Sequence, residues 1–369
     1  MQIMSKFFNV TGACYPEQHY MVNLQSRLEA IARMVANGEY FIINRARQFG
    51  KTTTLKALER YLANEYEIAS MDFQLLSHAS FSTEALFVKS FARELYTTIR
   101  MSPSVPDDIK HSLREMAVAD SPEASLSDLF FVLSDWCGVS GKPVILMIDE
   151  VDSASNNQVF LDFLAQLRGY YLLRQSRPAF KAVILAGVHD VKTLRSKIRP
   201  EEEHKVNSPW NIAADFNIDM SFSKQDIANM LMEYEADKNV GMDIAKMSEF
   251  LFDYTSGYPY LVSKLCKLLD EDLSGMQEHA WSRAGFLEAV KMLLAERNTL
   301  FESLSSKLVN YPQLDEMLQA LLFEGKSIVY NAYNENIANA AMFGFVKNSK
   351  GTLVIANRIY EMWLYNLYL

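Results

Sequence analysis

Cysteine is scarce in these 369 residues: Cys14, Cys137 and Cys266 are all there are. They stand far apart and are odd in number, so neither a metal-ligand pair nor a disulfide framework can be read from them. A reduced, cytoplasmic compartment is expected. No apolar run reaches the roughly 18–20 residues that a membrane span needs. The opening MQIMSKFFNVTG lacks a long apolar core behind a basic stretch, so no secretory leader is expected. Positive charge is in deficit, with 36 Lys and Arg against 45 Asp and Glu and a net charge of −9. The field of the whole molecule does not favour nucleic acid, and only a local basic patch could. Internal repeats and low-complexity tracts are missing too. With 49% hydrophobic and 22% charged residues, the chain has the balance of a globular protein, long enough for two or three domains.

What is present is an alternation of strand and helix signals. Gly38 to Asn44 reads GEYFIIN, and a helical pattern follows from Thr53 to Tyr66 with Leu55, Leu58, Tyr61 and Leu62 on one face. A strand is predicted at Ile68 to Phe73, then helices at Thr83 to Arg100 and Ser127 to Cys137, with a surface excursion around Met101 to Asp108. Val144 to Ile148, VILMI, is a continuous apolar run of the kind buried on both faces. A helix at Asn157 to Arg174 and a further apolar run at Ala182 to Val188 complete an α/β pattern, which implies a parallel sheet covered by helices. Beyond Asp219 the strand signals stop. Ser223 to Asn239, Asp243 to Leu273 and Trp281 to Leu308 read as helical, with Ser223 and Asp226 spaced as a capping box. The last segment predicts helices at Gln313 to Gly325 and Asn334 to Phe343. Two short strands follow about Asn348-Ser349-Lys350-Gly351, the second at Thr352 to Ala356. That is the order of a winged helix.

Arg45-Ala46-Arg47-Gln48-Phe49-Gly50-Lys51-Thr52 lies between the first strand and its helix. It departs from G-x-x-x-x-G-K-[ST] only at the first position, where Arg45 stands for glycine. Gly50 allows close backbone approach, Lys51 reaches the β/γ-phosphates and Thr52 is placed for Mg²⁺. Loop N–H groups and the helix N-terminus supply a positive field. A non-glycine at Arg45 restricts φ > 0. Arg45 and Arg47 either contact phosphates or point outward to another partner. The nucleotide-binding set is taken as 45–52 with Thr53.

The buried run VILMI continues into Asp149-Glu150-Val151-Asp152. Asp149 would orient Mg²⁺ and its waters, and Glu150 would polarise an attacking water, with Asp152 and Ser153 in support. A strand ending in solvated acids is the plainer alternative. The strand at Ala182 to Val188 ends at His189, which either senses the γ-phosphate or is an ordinary loop histidine. Lys192, Arg195, Lys197 and Arg199 follow, either a source of an arginine finger or a solvated basic face; Arg168 is a weaker candidate of the same kind.

Taken together, YFIINRARQFGKTTTL, VILMIDEVD, AGVHDVKTLRSKIRP, NSPWNIA, GYPYLV and ANRIYEMWLYNLYL resemble the bacterial AAA-like ATPases of the STAND-related group, over nearly the whole chain. The resemblance implies a P-loop NTPase core of the ASCE/AAA-like type, a helical lid and a C-terminal winged helix. The expected organisation is an N-terminal segment covering the adenine (1–35), the ATPase core (36–218), the lid (219–308) and the winged helix (309–369). Gly257-Tyr258-Pro259 matches the group's G-x-P motif, so Gly257 and Pro259 are expected at the nucleotide; a turn between helices is the alternative. Tyr20 is either a ring stacked on adenine or plain packing. Relatives of this type often carry a PD-(D/E)XK nuclease domain, and none is expected within these residues.

Three functions compete. An ATP-driven switch that self-associates as a homo-oligomer and engages an effector protein, in bacterial defence or signalling, follows from the resemblance. An ATP-regulated DNA-binding protein acting through the winged helix is the second. Its recognition-helix candidate, Asn334 to Phe343, carries no Arg or Lys, and the wing offers only Lys347 and Lys350. A nucleotide binder that never hydrolyses is the third, and intact Lys51, Thr52, Asp149 and Glu150 argue against it.

Overall fold

The computed structural model describes residues 5–118, 124–188, 210–275 and 279–369. The chain divides into two compact units, one comprising Ser26–Asn44 and Thr54–Ile218, the other Met1–Gln25, Arg45–Thr53 and Asp219–Leu369.

The first unit is built on a four-stranded, all-parallel sheet. Its strands are β1 (Tyr40–Asn44), β2 (Glu67–Asp72), β3 (Val144–Asp149) and β4 (Ala182–Gly187), in the order β1-β4-β3-β2. β3 and β4 are buried along their whole length, as continuous apolar runs predict for central strands. β2 alternates buried and half-buried residues, as befits an edge. The outer side of β1 carries a single bridge to Ala214, whose N–H donates to Tyr40 O at 2.8 Å. Helices α1 (Gln25–Ala36), α2 (Lys51–Leu62), α3 (Glu84–Ile99), α4 (Asp107–Val118), α5 (Leu126–Val139) and α6 (Gln158–Leu172) accompany the strands. A phenylalanine cluster of Phe73, Phe87, Phe91, Phe160 and Phe163 fills the core beside β2 and β3. The stretch expected as a surface excursion gives way at Asp107 to α4. Ile109, Leu113 and Ala117 make its buried stripe, and Asp107 and Asp108 sit in the first turn where the helix dipole favours acids.

The second unit is mainly helical. α7 (Lys224–Lys238) opens on the expected capping box: Ser223 Oγ accepts from Asp226 N at 3.1 Å and Asp226 Oδ2 accepts from Ser223 N at 2.8 Å. The single stretch expected from Asp243 to Leu273 is broken. α8 (Ile244–Thr255) ends on Ser256 and Gly257, both left-handed at φ 48° and 71°, and α9 (Pro259–Lys267) starts on its proline. The stretch from Trp281 to Leu308 is broken as well, into α10 (Arg283–Ala295) and α11 (Thr299–Asn310). Asn298 caps the second by accepting from Phe301 N at 2.9 Å. Then come α12 (Pro312–Phe323), α13 (Glu335–Phe343), the antiparallel pair β5 (Val346–Ser349) and β6 (Thr352–Ile355), and α14 (Arg358–Tyr368), with a further bridge from Val329 to Thr352. Lys347 in β5 donates to Ser256 Oγ at 2.9 Å, so this cation is already engaged within its own unit. Residues 5–24 form a strap whose Phe8 and Tyr20 pack on Tyr234, with Trp281 against Phe8 and Tyr234.

Among the described residues, no helix is long and apolar enough to cross a membrane.

Candidate phosphate-binding site

β1 runs directly into the loop 45–50, and α2 begins at Lys51 with no acidic residue in its first turn. The N-terminus of a helix, where N–H groups point outward along the axis and the dipole favours negative charge, is the usual place for an anion. The loop makes its turns at Gln48 and Gly50, with φ 55° and 80°. Arg45 is not among the residues with positive φ, so the arginine in place of the usual first glycine meets no backbone penalty. A Cβ on Gly50 would meet no atom within 4 Å; glycine is required there for its angle and not for space. Lys51 is 6% exposed, and its ammonium donates to Arg45 O at 3.0 Å and Ala46 O at 3.1 Å. Arg45 is half-buried, and burial pushes its guanidinium below the ordinary range while Asp219 opposes the shift; Arg47 is exposed. Thr53 is turned to the strap, its Oγ1 accepting from Cys14 N at 3.1 Å.

The rest of the same unit closes on this loop. Tyr258 donates its hydroxyl to Arg47 O, and its ring meets Phe49 edge-on at 4.7 Å. Gln48 Nε2 donates to Thr299 Oγ1 at 3.0 Å. A Cβ on Gly344 would stand 2.9 Å from Ala46 Cβ. Of the G-x-P residues, Gly257 and Pro259 are buried in the corner itself, and the middle residue is the one whose side chain reaches the loop. Only glycine fits at 257: an added Cβ would fall 2.0 Å from Phe222 O, and Phe222 N donates to Gly257 O at 2.8 Å. Sequence reasoning missed Tyr258 because only the x position of the motif marks it. Of the two readings of Tyr20, plain packing is the one its surroundings match: it is 2% exposed, its ring packs on Phe8 and Tyr234, and its hydroxyl donates to Asp237 Oδ2 at 3.1 Å. That is a core ring and not an open stacking face.

In the sheet unit, β3 ends on Asp149, 6% exposed and in register with Asp72 of β2. Glu150 follows in the left-handed region, φ 52° and ψ 41°, with its N–H donating to Asp149 Oδ1 at 2.9 Å. Side chains enter that region at a cost of about 1–3 kcal/mol, and here it is not a helix C-cap or hairpin turn that calls for it, as at Ser256 and Lys350. Asp152 accepts from Val188 N at 2.6 Å and so ties the turn after β3 to the end of β4. Space there is tight, since a Cβ on Gly187 would lie 3.1 Å from both Asp152 carboxylate oxygens. His189, Lys192, Arg195, Lys197 and Arg199 lie outside the described residues. No group of three or more His, Cys, Asp or Glu that could hold a metal occurs among the described residues. Taken each in its own unit, the Thr52 hydroxyl and the Asp149 carboxylate are oxygen donors of the kind that a hard divalent ion takes.

A strand, a Gly-Lys-Thr loop and a helix on a parallel sheet define the P-loop NTPase class. The model of the AAA-like domain family matches residues 14–366, and the chain belongs to that family. No curated protein matches the sequence. Among solved structures, the fold is similar to the Walker-type ATPase PABY2304 of Pyrococcus abyssi, at 15% identity and a TM-score of 0.63 over 97% of this chain and 99% of that one. Weaker likenesses are to ORC2 of Aeropyrum pernix in its ADPNP-ADP complexes (14% identity, TM-score 0.48, 93% of each chain), and to the RuvB Holliday junction branch migration motor of Thermotoga maritima (12%, 0.42, 92% and 94%).

Proposed function

We propose that this protein binds ATP with Mg²⁺ on the loop 45–52, hydrolyses it, and works as a nucleotide-dependent switch. The observation that carries the reading is Lys51: a buried ammonium at a helix start, seated on the carbonyls of Arg45 and Ala46 in a loop that turns through Gln48 and Gly50. Its charge and the N–H groups beside it offer a fixed positive field for the β/γ-phosphates. Thr52 and Asp149 would hold Mg²⁺, which when bound neutralises phosphate charge. Glu150 accepts a proton from the attacking water and orients it. Its backbone lies in the left-handed region, at the cost of local strain. The nucleotide state is read by the helical residues 219–308 and by the helix-helix-hairpin-helix order of 309–369, taken as a lid and a winged helix. Self-association and an effector protein as partner belong to the same reading, with a role in bacterial signalling or defence by analogy with the group the sequence resembles.

Titration calorimetry with MgATP tests it. Wild type should bind and Lys51→Ala should not, because the substitution removes the loop's buried ammonium. Equal affinity in the two proteins would place the nucleotide elsewhere.

A further inference from the structure

Four consecutive residues of the loop are each touched by a residue from the C-terminal part of the same unit. Ala46 meets Gly344, Arg47 receives the Tyr258 hydroxyl, Gln48 bonds Thr299, and Phe49 packs on the Tyr258 ring. Tyr258 alone engages two of the four, by two different interactions. Its ring is 4% exposed and has Tyr360 at 5.6 Å, edge to face. Its backbone is fixed between Gly257, pinned on Phe222, and Pro259, the first residue of α9. A tyrosine so placed has no room to swing.

The loop's carbonyls show what this rigidity is for. A loop that takes an anion must keep its carbonyl oxygens, each partly negative, off the ligand and turn N–H groups toward it. Arg45 O and Ala46 O are held by Lys51, and Arg47 O by Tyr258. The first three carbonyls of the loop are therefore all occupied by donors. A trans peptide presents its C=O and N–H in opposite directions, so the bond to Arg47 O aims the Gln48 N–H away from Tyr258. We infer that Tyr258 is a positioning residue of the phosphate loop: its hydroxyl fixes the Arg47–Gln48 peptide in the orientation that presents N–H to a phosphate, so the loop meets its nucleotide preorganised. This rests on the reading of the loop as the ATP site. Phosphate affinity is thereby made dependent on a residue of the α8–α9 corner.

Tyr258→Phe removes only the hydroxyl and keeps the ring on Phe49 and Tyr360. Tyr365→Phe is the control, since it removes a tyrosine-to-carbonyl bond of the same type, to Leu322 O at 3.0 Å. Two readouts are needed. Hydrogen exchange without nucleotide should show the amides of residues 46–50 exchanging about fivefold faster in Tyr258→Phe and unchanged in Tyr365→Phe. Steady-state hydrolysis should show KM for MgATP raised about tenfold, with kcat within about twofold, because the lost interaction serves ground state and transition state alike. Unchanged loop exchange in Tyr258→Phe overturns the inference, and so does an equal effect of Tyr365→Phe on both readouts. If the loop loosens as expected but wild type binds no MgATP, the ATP reading falls and the hold of Tyr258 on the loop stands.

Discussion

At Gln48 and at Glu150 the backbone takes the left-handed conformation that side chains disfavour, φ 55° and 52°, and the two are secured from opposite distances along the chain. Glu150 is held by its neighbours. Its N–H rests on Asp149, its carbonyl accepts from Ser153 N at 3.1 Å, and Asp152 ties the turn to Val188. Gln48 bonds a residue 251 positions away, and Arg47 beside it bonds one 211 positions away. An acidic strand end built from near neighbours needs little beyond its own sheet. The loop 45–50 adds to its local Lys51 bonds these contacts with distant residues, which form only against a long loop-closure cost. The acidic strand end is thus held within its own sheet unit, whereas the loop 45–50 is held in large part by residues of the C-terminal half.

The largest expected effect isolates the locally built end. Glu150→Gln is nearly isosteric, keeps the backbone and removes the carboxylate proposed as the base, so turnover should fall at least about 100-fold, the low end of general-base contributions, with MgATP affinity unchanged. Phosphate release and calorimetry measure the two. Wild-type turnover in the variant would move the base to another residue, Asp152 being next in line.

The second experiment strikes the remote support. Gly257→Ala puts a side chain at φ 71° and a Cβ 2.0 Å from Phe222 O, and should cost about 3 kcal/mol or more. Gly50→Ala imposes a similar angle penalty, φ 80°, with no clash, and should cost only about 1 kcal/mol. Denaturant unfolding of the two variants side by side is the check. If the alanine at 257 is as mild as the alanine at 50, the corner that carries Tyr258 is not fixed as described.

The smallest effect concerns the strap. His19 is 5% exposed, and its Nδ1 accepts from Tyr15 N at 2.8 Å, so the ring is neutral with its proton on Nε2. Burial lowers its pKa below the ordinary histidine value. Above about pH 6.5 native and unfolded chains are both neutral here and the contribution is complete. As pH falls below that, the unfolded chain takes the proton first, and stability declines until the native pKa is passed. Amides of residues 6–20 should therefore lose protection between pH 7.5 and 5.5, after correction for intrinsic exchange. The loss should be smaller in His19→Gln, and β3 should show no such change. An equal loss in His19→Gln would remove this histidine from the explanation.

By itself the sequence determined whatever is written in short spans. Continuous apolar runs at Val144 and Ala182 mean strands buried on both faces, and the structure has them at the centre of the sheet. The Gly50-Lys51-Thr52 run and the Asp149-Glu150 strand end are visible because each role needs a fixed residue type at a fixed spacing. Ser223 and Asp226 announce a helix start because a capping box spans four residues. Three of the described helices, α1, α4 and α14, went unread as elements although at 11 or 12 residues they are no shorter than α13; their apolar stripes become meaningful only against the surfaces that bury them. The breaks at Gly257 and Asn298 were hidden inside helical periodicity. Tertiary structure alone decided that Tyr20 is a core ring, that Gln48 turns the loop at positive φ, and that Tyr258 holds the Arg47 carbonyl. Each of these depends on a partner far along the chain, and a contact between distant residues leaves no periodicity in either local segment.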